Sequence, residues 1–180
     1  MPPTSWSVSS PAARTNSDVR SNELDSNGFW QPDVTVATLV LHEGRFLVVE
    51  EEVRGERVIN QPAGHLEPEE SLAHAALRET LEETGWDVEL TAFVGAYQWK
   101  APVAPDGSGG RHYLRFAFAA RPLAHHPGRP LDAGILRPLW LTPAELHACA
   151  DRHRSPLVWR VVADYLAGQR RPLDTVTQLA

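Results

Sequence analysis

Residues 34–41 run Val-Thr-Val-Ala-Thr-Leu-Val-Leu, a β-branched and apolar stretch long enough for a buried strand. His42-Glu43-Gly44-Arg45 interrupts it, and Phe46-Leu47-Val48-Val49-Glu50 returns, which predicts a β-hairpin. Val58 and Ile59 suggest a short strand before Pro62. Residues 88–99 and 113–119 predict two further strands, and residues 139–141 a short one. Between these runs, residues 71–84 predict a helix with Ser71 as its N-cap and Gly85 as its stop. Thr142-Pro143-Ala144-Glu145 reads as a capping box with proline in the first turn. Ser155-Pro156 opens a last helix that ends at Gly168. Strands grouped around separated helices imply an α/β fold, a mixed β-sheet packed between helices.

No period of 2 or 3.6 runs through residues 1–30, rich in Ser, Asn and Pro, so a disordered N-terminal extension is expected there. The domain is expected over residues 31–168, followed by a C-terminal tail at 169–180. The Pro- and Gly-bearing residues 101–110 exceed what a tight hairpin needs and predict a mobile loop.

Composition narrows the function. With 17 basic and 23 acidic residues the formal charge is −6, a poor basis for binding nucleic acid. Any phosphate chemistry must then be local. The single cysteine, Cys149, excludes an internal disulfide framework and a thiolate zinc cluster. No stretch approaches the roughly 20 apolar residues of a membrane span. The chain start lacks a signal-peptide pattern, so no membrane association and a cytoplasmic location are expected. Monomer and homodimer both stay open.

Chemistry concentrates in the first helix. At roughly 100° per residue, Leu72, Ala73, Ala76, Leu77, Thr80 and Thr84 share one side. Glu79 and Glu83 lie one turn apart on another side, with Glu82 close by and Arg78 bordering them. Like charges at these spacings destabilise a helix by roughly 0.2–0.5 kcal/mol per pair. They also sit near the C-terminal end, where the macrodipole disfavours anions. A solvated face would not call for such a pattern. A divalent cation removes both objections, because carboxylate oxygens converging on Mg²⁺ are stabilised by it. Gly64, after Pro62-Ala63, lets backbone approach closely enough for a carbonyl to complete the coordination.

Gly64, Glu70, Arg78-Glu79, Glu82-Glu83 and Gly85 are spaced as in the Nudix box, which this segment (residues 64–85) resembles. Seven specified positions at roughly 6% usage each match by chance about 3 × 10⁻⁹ times per register. Two positions depart from the aliphatic pattern, Thr80 and Trp86. Thr80 lies on the core side, where its hydroxyl can bond back to the preceding turn. Residues 34–37, 46–51, 60–67, 98–102, 114–116 and 154–158, and later 168–170, are similar to the NudJ-type phosphatase branch.

The resemblance implies a Nudix α/β/α sandwich and Mg²⁺-dependent hydrolysis of a phosphoanhydride, with Mn²⁺ as a substitute cation. For this branch it implies release of a terminal phosphate from hydroxymethylpyrimidine diphosphate, with thiamine diphosphate and nucleoside di- or triphosphates as further substrates. Glu79 is the candidate for taking a proton from, or orienting, the attacking water. Glu79, Glu82, Glu83 and Gly64 are the candidate metal ligands, and Glu70 is a supporting box residue. Arg78 is a candidate catalytic residue that the pattern favours as an orienting salt bridge. Two other functions compete: a Nudix pyrophosphatase cutting nucleotide sugars or dinucleotide polyphosphates internally, and a non-catalytic nucleotide-binding module. The module is expected to lose box carboxylates, which are all present here.

Outside the box, Trp99 and Tyr97 end a strand near the loop and could stack on a pyrimidine ring or pack beneath the loop. Arg115 alternates with Leu114 and Phe116, open to a phosphate contact or a surface salt bridge. Glu50, Glu51 and Glu52 read as solvated charges after a strand, one of which could supply a further carboxylate. His125-His126 reads as a surface pair, and Cys149 as a small packed residue.

Overall fold

The computed structural model describes residues 29–103 and 110–179. All but the last two residues of the expected N-terminal extension, and most of the expected mobile loop, lie outside these. Contacts divide the chain into Met1–Pro32 and Asp33–Ala180, and the second unit holds the elements described next.

Seven strands are β1 (Asp33–His42), β2 (Arg45–Val53), β3 (Glu56–Asn60), β4 (Ala63–His65), β5 (Trp86–Lys100), β6 (His112–His125) and β7 (Ile135–Leu141). They pair in the order β3-β2-β1-β6-β5, with β4 on β1 and β7 on β2. β1 and β6 run parallel and the other pairs antiparallel. The mixed sheet read from the sequence is present. The strands β2, β6 and β7 extend well past their expected ends, because cross-strand pairing continues where the apolar pattern stops. Glu50, Glu51 and Glu52 are therefore inside β2, each opposite a residue of β3, and are not edge charges after it. Among the described residues no helix is long and apolar enough to cross a membrane.

The alternation along β1 and β6 sorts the core to two faces. Val36 and Phe118 meet Ala75 and Ala76 of helix α1 (Leu72–Thr84) on one face. Leu39 and Ala117, of opposite parity, meet Val158, Val161 and Val162 of helix α3 (Leu157–Leu166) on the other. Helices thus cover both faces. Helix α2 (Pro143–Ala148) starts at the expected capping box, with Thr142 and Glu145 bonded reciprocally. Beyond Gly168 the chain returns to β5, where Phe93 and Arg171 exchange backbone hydrogen bonds of 2.9 and 2.8 Å, and Val176 packs against the Val36 cluster.

Helix α1 begins and ends as expected: Ser71 accepts from the His74 N–H, and Gly85 adopts φ 69°, a left-handed conformation suited to glycine. Its buried face differs from expectation. Ala75, Ala76, Glu79, Thr80, Glu83 and Thr84 are buried, whereas Ala73 and Leu77 are exposed. The small side chains at 75, 76 and 80 let the helix lie close to the sheet, and this turns the two glutamates inward. Thr80 donates to the Ala76 carbonyl at 2.7 Å, the local bond expected of its hydroxyl.

Candidate active site

Arg78 organises the acidic stripe. Its Nε and Nη2 bind the two Glu70 carboxylate oxygens, each at 2.9 Å. Nη1 reaches Glu79 at 2.7 Å and Glu82 at 3.0 Å, and Nη2 also donates to the His65 carbonyl at 3.1 Å. One guanidinium thus fixes three carboxylates and one backbone group. Its hydrogen bonds hold Glu70 down to about 2, and that pairing in turn keeps Arg78 charged beyond the usual arginine range. Glu70 is consumed by this role.

The two inward glutamates are different. Burial pushes the Glu79 carboxyl up, against the opposing pull of Arg78. Burial drives Glu83 up to about 8, although the Ala63 N–H donates to it at 2.9 Å. Glu79, Glu51 and Asp132 add negative charge that pushes Glu83 the same way. Buried carboxylates with such shifts are costly unless a cation or a proton compensates them.

Gly64 sits on β4 directly against this stripe. A Cβ there would lie 2.1 Å from the Glu79 carboxyl group, so only glycine leaves the carboxylate its place. Oxygen atoms of Glu79, Glu82 and Asp132 lie within 4.8 Å of one another. An all-oxygen donor set at that spacing fits a hard divalent cation. Of the four candidate ligands from the sequence, Glu79 and Glu82 join this group and Gly64 abuts it. Glu83 turns instead toward Ala63 and the neighbouring cleft. Asp132 was not foreseen. It belongs to the loop before β7 and is brought in by its own N–H, which donates to the Glu82 carbonyl at 3.2 Å. No spacing rule links it to the box.

The cleft beside Glu83 has a volume of about 300 Å³. Gly64, Arg115, Trp99, Tyr113, Glu51, Asn60, Arg154 and Ser155 line it. Arg115 is 8% exposed, which removes the surface salt bridge as its explanation. Burial pulls its guanidinium down to about 10, with the nearby Arg154 adding to the effect. Trp99 stacks on Tyr113, centroids 5.5 Å apart. Tyr97 does not join them and packs against the α3 core. Glu50 is bound by Arg137 and Arg152, so of the three β2 acids only Glu51 faces the cleft. His125 stacks on Trp86 and His126 pairs with Asp87, which accounts for that histidine pair. Cys149 is half-buried, its Sγ 3.2 Å from the Leu146 carbonyl.

The NUDIX domain model matches residues 31–160. Phosphatase NudJ of Escherichia coli K12 is 42% identical over 147 residues, covering 82% of this chain and 92% of that protein. Phosphatase NudJ of Shigella flexneri matches to the same extent. A NUDIX hydrolase from Nitrosomonas europaea superposes with a TM-score of 0.76 at 41% identity, covering 83% of this chain and 98% of that one. Agreement in sequence over the whole sheet and in fold around the acidic helix shows that this chain belongs to the Nudix family and is a hydrolase.

Proposed function

We propose that this chain is a divalent-cation-dependent phosphatase, using Mg²⁺ with Mn²⁺ as a substitute. Its proposed reaction releases terminal phosphate from hydroxymethylpyrimidine diphosphate, thiamine diphosphate or nucleoside di- and triphosphates. The observation that carries this reading is the arginine-ordered group of Glu79, Glu82 and Asp132 next to Gly64 and the cleft. The NudJ relatives, named as phosphatases, support the terminal-phosphate outcome.

Glu79, Glu82 and Asp132 would hold the cation, with Glu83 and the Gly64 backbone alongside. Bound there, the cation supplies charge neutralisation for the diphosphate and for charge developing in the transition state. Glu79 takes a proton from the attacking water or orients it. Arg78 is a positioning residue: it fixes the Glu79 carboxylate while Glu70 anchors it from the other side. Arg115 and Trp99 are the proposed substrate contacts in the cleft, one for anionic oxygen and one for a ring.

Assaying a panel of diphosphates with Mg²⁺ and identifying the products tests the reading. Inorganic phosphate is the expected product. Two phosphorylated fragments would instead assign the internal cleavage of nucleotide sugars or dinucleotide polyphosphates. Trp99→Ala is expected to weaken pyrimidine diphosphate hydrolysis more than hydrolysis of inorganic polyphosphate, and equal losses would assign Trp99 to packing.

A further inference from the structure

By the alternation of β1, Thr38 points to the same face as Val36, which packs on Ala75 and Ala76 of α1. Thr38 is fully buried, a hydroxyl within an apolar layer, opposite Phe118 of β6. A hydroxyl there needs a partner. Thr38 Oγ1 donates to the Ala76 carbonyl of α1 at 3.1 Å. The Thr38 N–H donates at the same time to the Pro62 carbonyl at 2.9 Å. One residue thus holds α1 by its side chain and the approach to β4 by its backbone.

These are the two elements that meet at the acids. Past Pro62 the pairing continues with Ala63 opposite Ala37 and Gly64 opposite Val36. Past Ala76, Glu79 and Glu83 follow about one and two turns later on the same buried side of the helix. Each acid then stands against one β4 residue. Glu83 accepts from the Ala63 N–H at 2.9 Å, and a Cβ on Gly64 would fall 2.1 Å from the Glu79 carboxyl group. A helix shifted toward β4 would collide with that backbone, and one shifted away would break the Ala63 bond.

Apolar packing does not fix that shift by itself. Ala75 and Ala76 offer only methyl groups to Val36 and Phe118, and apolar attraction has no direction. A hydrogen bond requires a distance and an angle, so it sets the place along the helix as well as the height above the sheet. Bonds that join α1 to β4 directly run from Arg78 Nη2 to the His65 carbonyl and from the Ala63 N–H to Glu83. Both use charged groups of the site. The two Thr38 bonds use neutral groups and do not depend on a proton or a cation at the acids. Thr80 donates to the same Ala76 carbonyl at 2.7 Å, but from within α1, so it ties the helix only to itself.

We propose that Thr38 is a positioning residue that refers α1 and β4 to one point of β1, and so sets Glu79 and Glu83 against Gly64 and Ala63. This rests on the phosphatase reading only in that these are acids which that reading places at the cation.

Thr38→Val keeps the branched shape and the backbone bond and removes the hydroxyl. The Ala76 carbonyl keeps the Thr80 hydroxyl, so no buried acceptor is stranded and the variant should fold. Amide hydrogen exchange of the full chain, without cation, reads the placement of α1 against β4. Exchange at the Ala63 N–H should quicken at least about tenfold more than at amides of the β5–β6 ladder, which report whole-chain stability. Steady-state kinetics with Mg²⁺ and thiamine diphosphate should show kcat at least about tenfold lower and KM within about twofold, since a misplacement of about 1 Å can cost about 10²-fold. Thr38→Ser should restore both readings, and Thr80→Val should stay within about twofold of the natural chain. Equal quickening at all amides overturns the inference, as does natural turnover in a folded Thr38→Val chain. Thr38→Ser or Thr80→Val as impaired as Thr38→Val overturns it too. If Thr38→Val does not fold, Thr38→Ser against Thr38→Ala, which differ from each other by the hydroxyl, decides on the same readings. The two claims fail separately. Selective quickening at Ala63 in a chain that cleaves no diphosphate refutes the phosphatase reading and keeps the positioning. Natural turnover with unselective exchange in Thr38→Val does the reverse.

Discussion

Glu50 and Glu83 are both carboxylates withdrawn from water, and they behave in opposite ways. Glu50 is enclosed by Arg137 and Arg152, and the Arg152 hydrogen bond, more than any other influence, holds its carboxyl below the ordinary range. Glu83 has one backbone donor and several acidic neighbours, and its carboxyl is driven up to about 8 by burial. The first is a completed ion-pair site. The second is a site that another charge must complete. Burial alone therefore does not mark a functional acid; the partners a buried acid lacks do.

The largest expected effect is on turnover. Glu79→Gln keeps the side-chain shape but removes a charge the cation needs, so kcat should fall at least about 10²-fold, the lower range for acid–base groups. Stability without metal should hold or rise by roughly 0.2–0.5 kcal/mol per relieved like-charge pair. Steady-state kinetics with Mg²⁺ and a thermal melt in chelator check both. Near-normal turnover would remove Glu79 from the mechanism, and an equally large loss of stability would make its role structural.

Glu50→Gln should reverse that pattern. Both arginine partners are substantially exposed, at 61% and 42%, so screening limits the loss to about 1–2 kcal/mol. Turnover of the folded fraction should stay within about twofold. A chemical denaturation series measures the first, and a collapse of turnover without loss of stability would place Glu50 in the chemistry.

How much of this contrast was legible in the sequence varies with its physical origin. The capping residues Ser71 and Thr142 and the box acids act over three or four residues, a range that spacing resolves. Arg78 as an orienting bridge was legible from its place in the family pattern, since its Glu70 partner lies eight positions away. Asp132 was not, because it reaches the site through a backbone bond to Glu82 fifty positions away. The difference between Glu50 and Glu51 was hidden as well. It depends on β2 continuing to Val53 under the pairing of β3 and β7, beyond the apolar run that predicts the strand. The face of α1 was misjudged because Leu77 looks like a core residue, whereas small residues set how close a helix can pack. Arg115 was legible as a strand residue but not as a buried one.

Smaller effects follow from pH, with opposite signs at the two acids. Glu50 is lowered in the folded state, so its contribution is present above the ordinary carboxylate range and is lost as pH falls through and below it. The gap between the natural chain and Glu50→Gln should therefore close in acid. Glu83 is raised, so the folded state binds the extra proton, and stability without metal falls as pH rises from about 4.5 to about 8. Glu83→Gln should lose that part of the slope and melt higher than the natural chain near pH 8. Parallel pH dependence of the melting temperature for all three chains, from acid below the ordinary carboxylate range up to about pH 8, would remove the distinction.

The central claim is that the acids around α1 are arranged for a divalent cation. Calorimetric titration of Mg²⁺ into the natural chain, Glu79→Gln and Glu50→Gln, without substrate, tests it directly. The natural chain and Glu50→Gln should bind Mg²⁺ alike, and Glu79→Gln should bind at least about tenfold more weakly. Equal Mg²⁺ affinity for all three chains, or no binding by the natural chain, would contradict it.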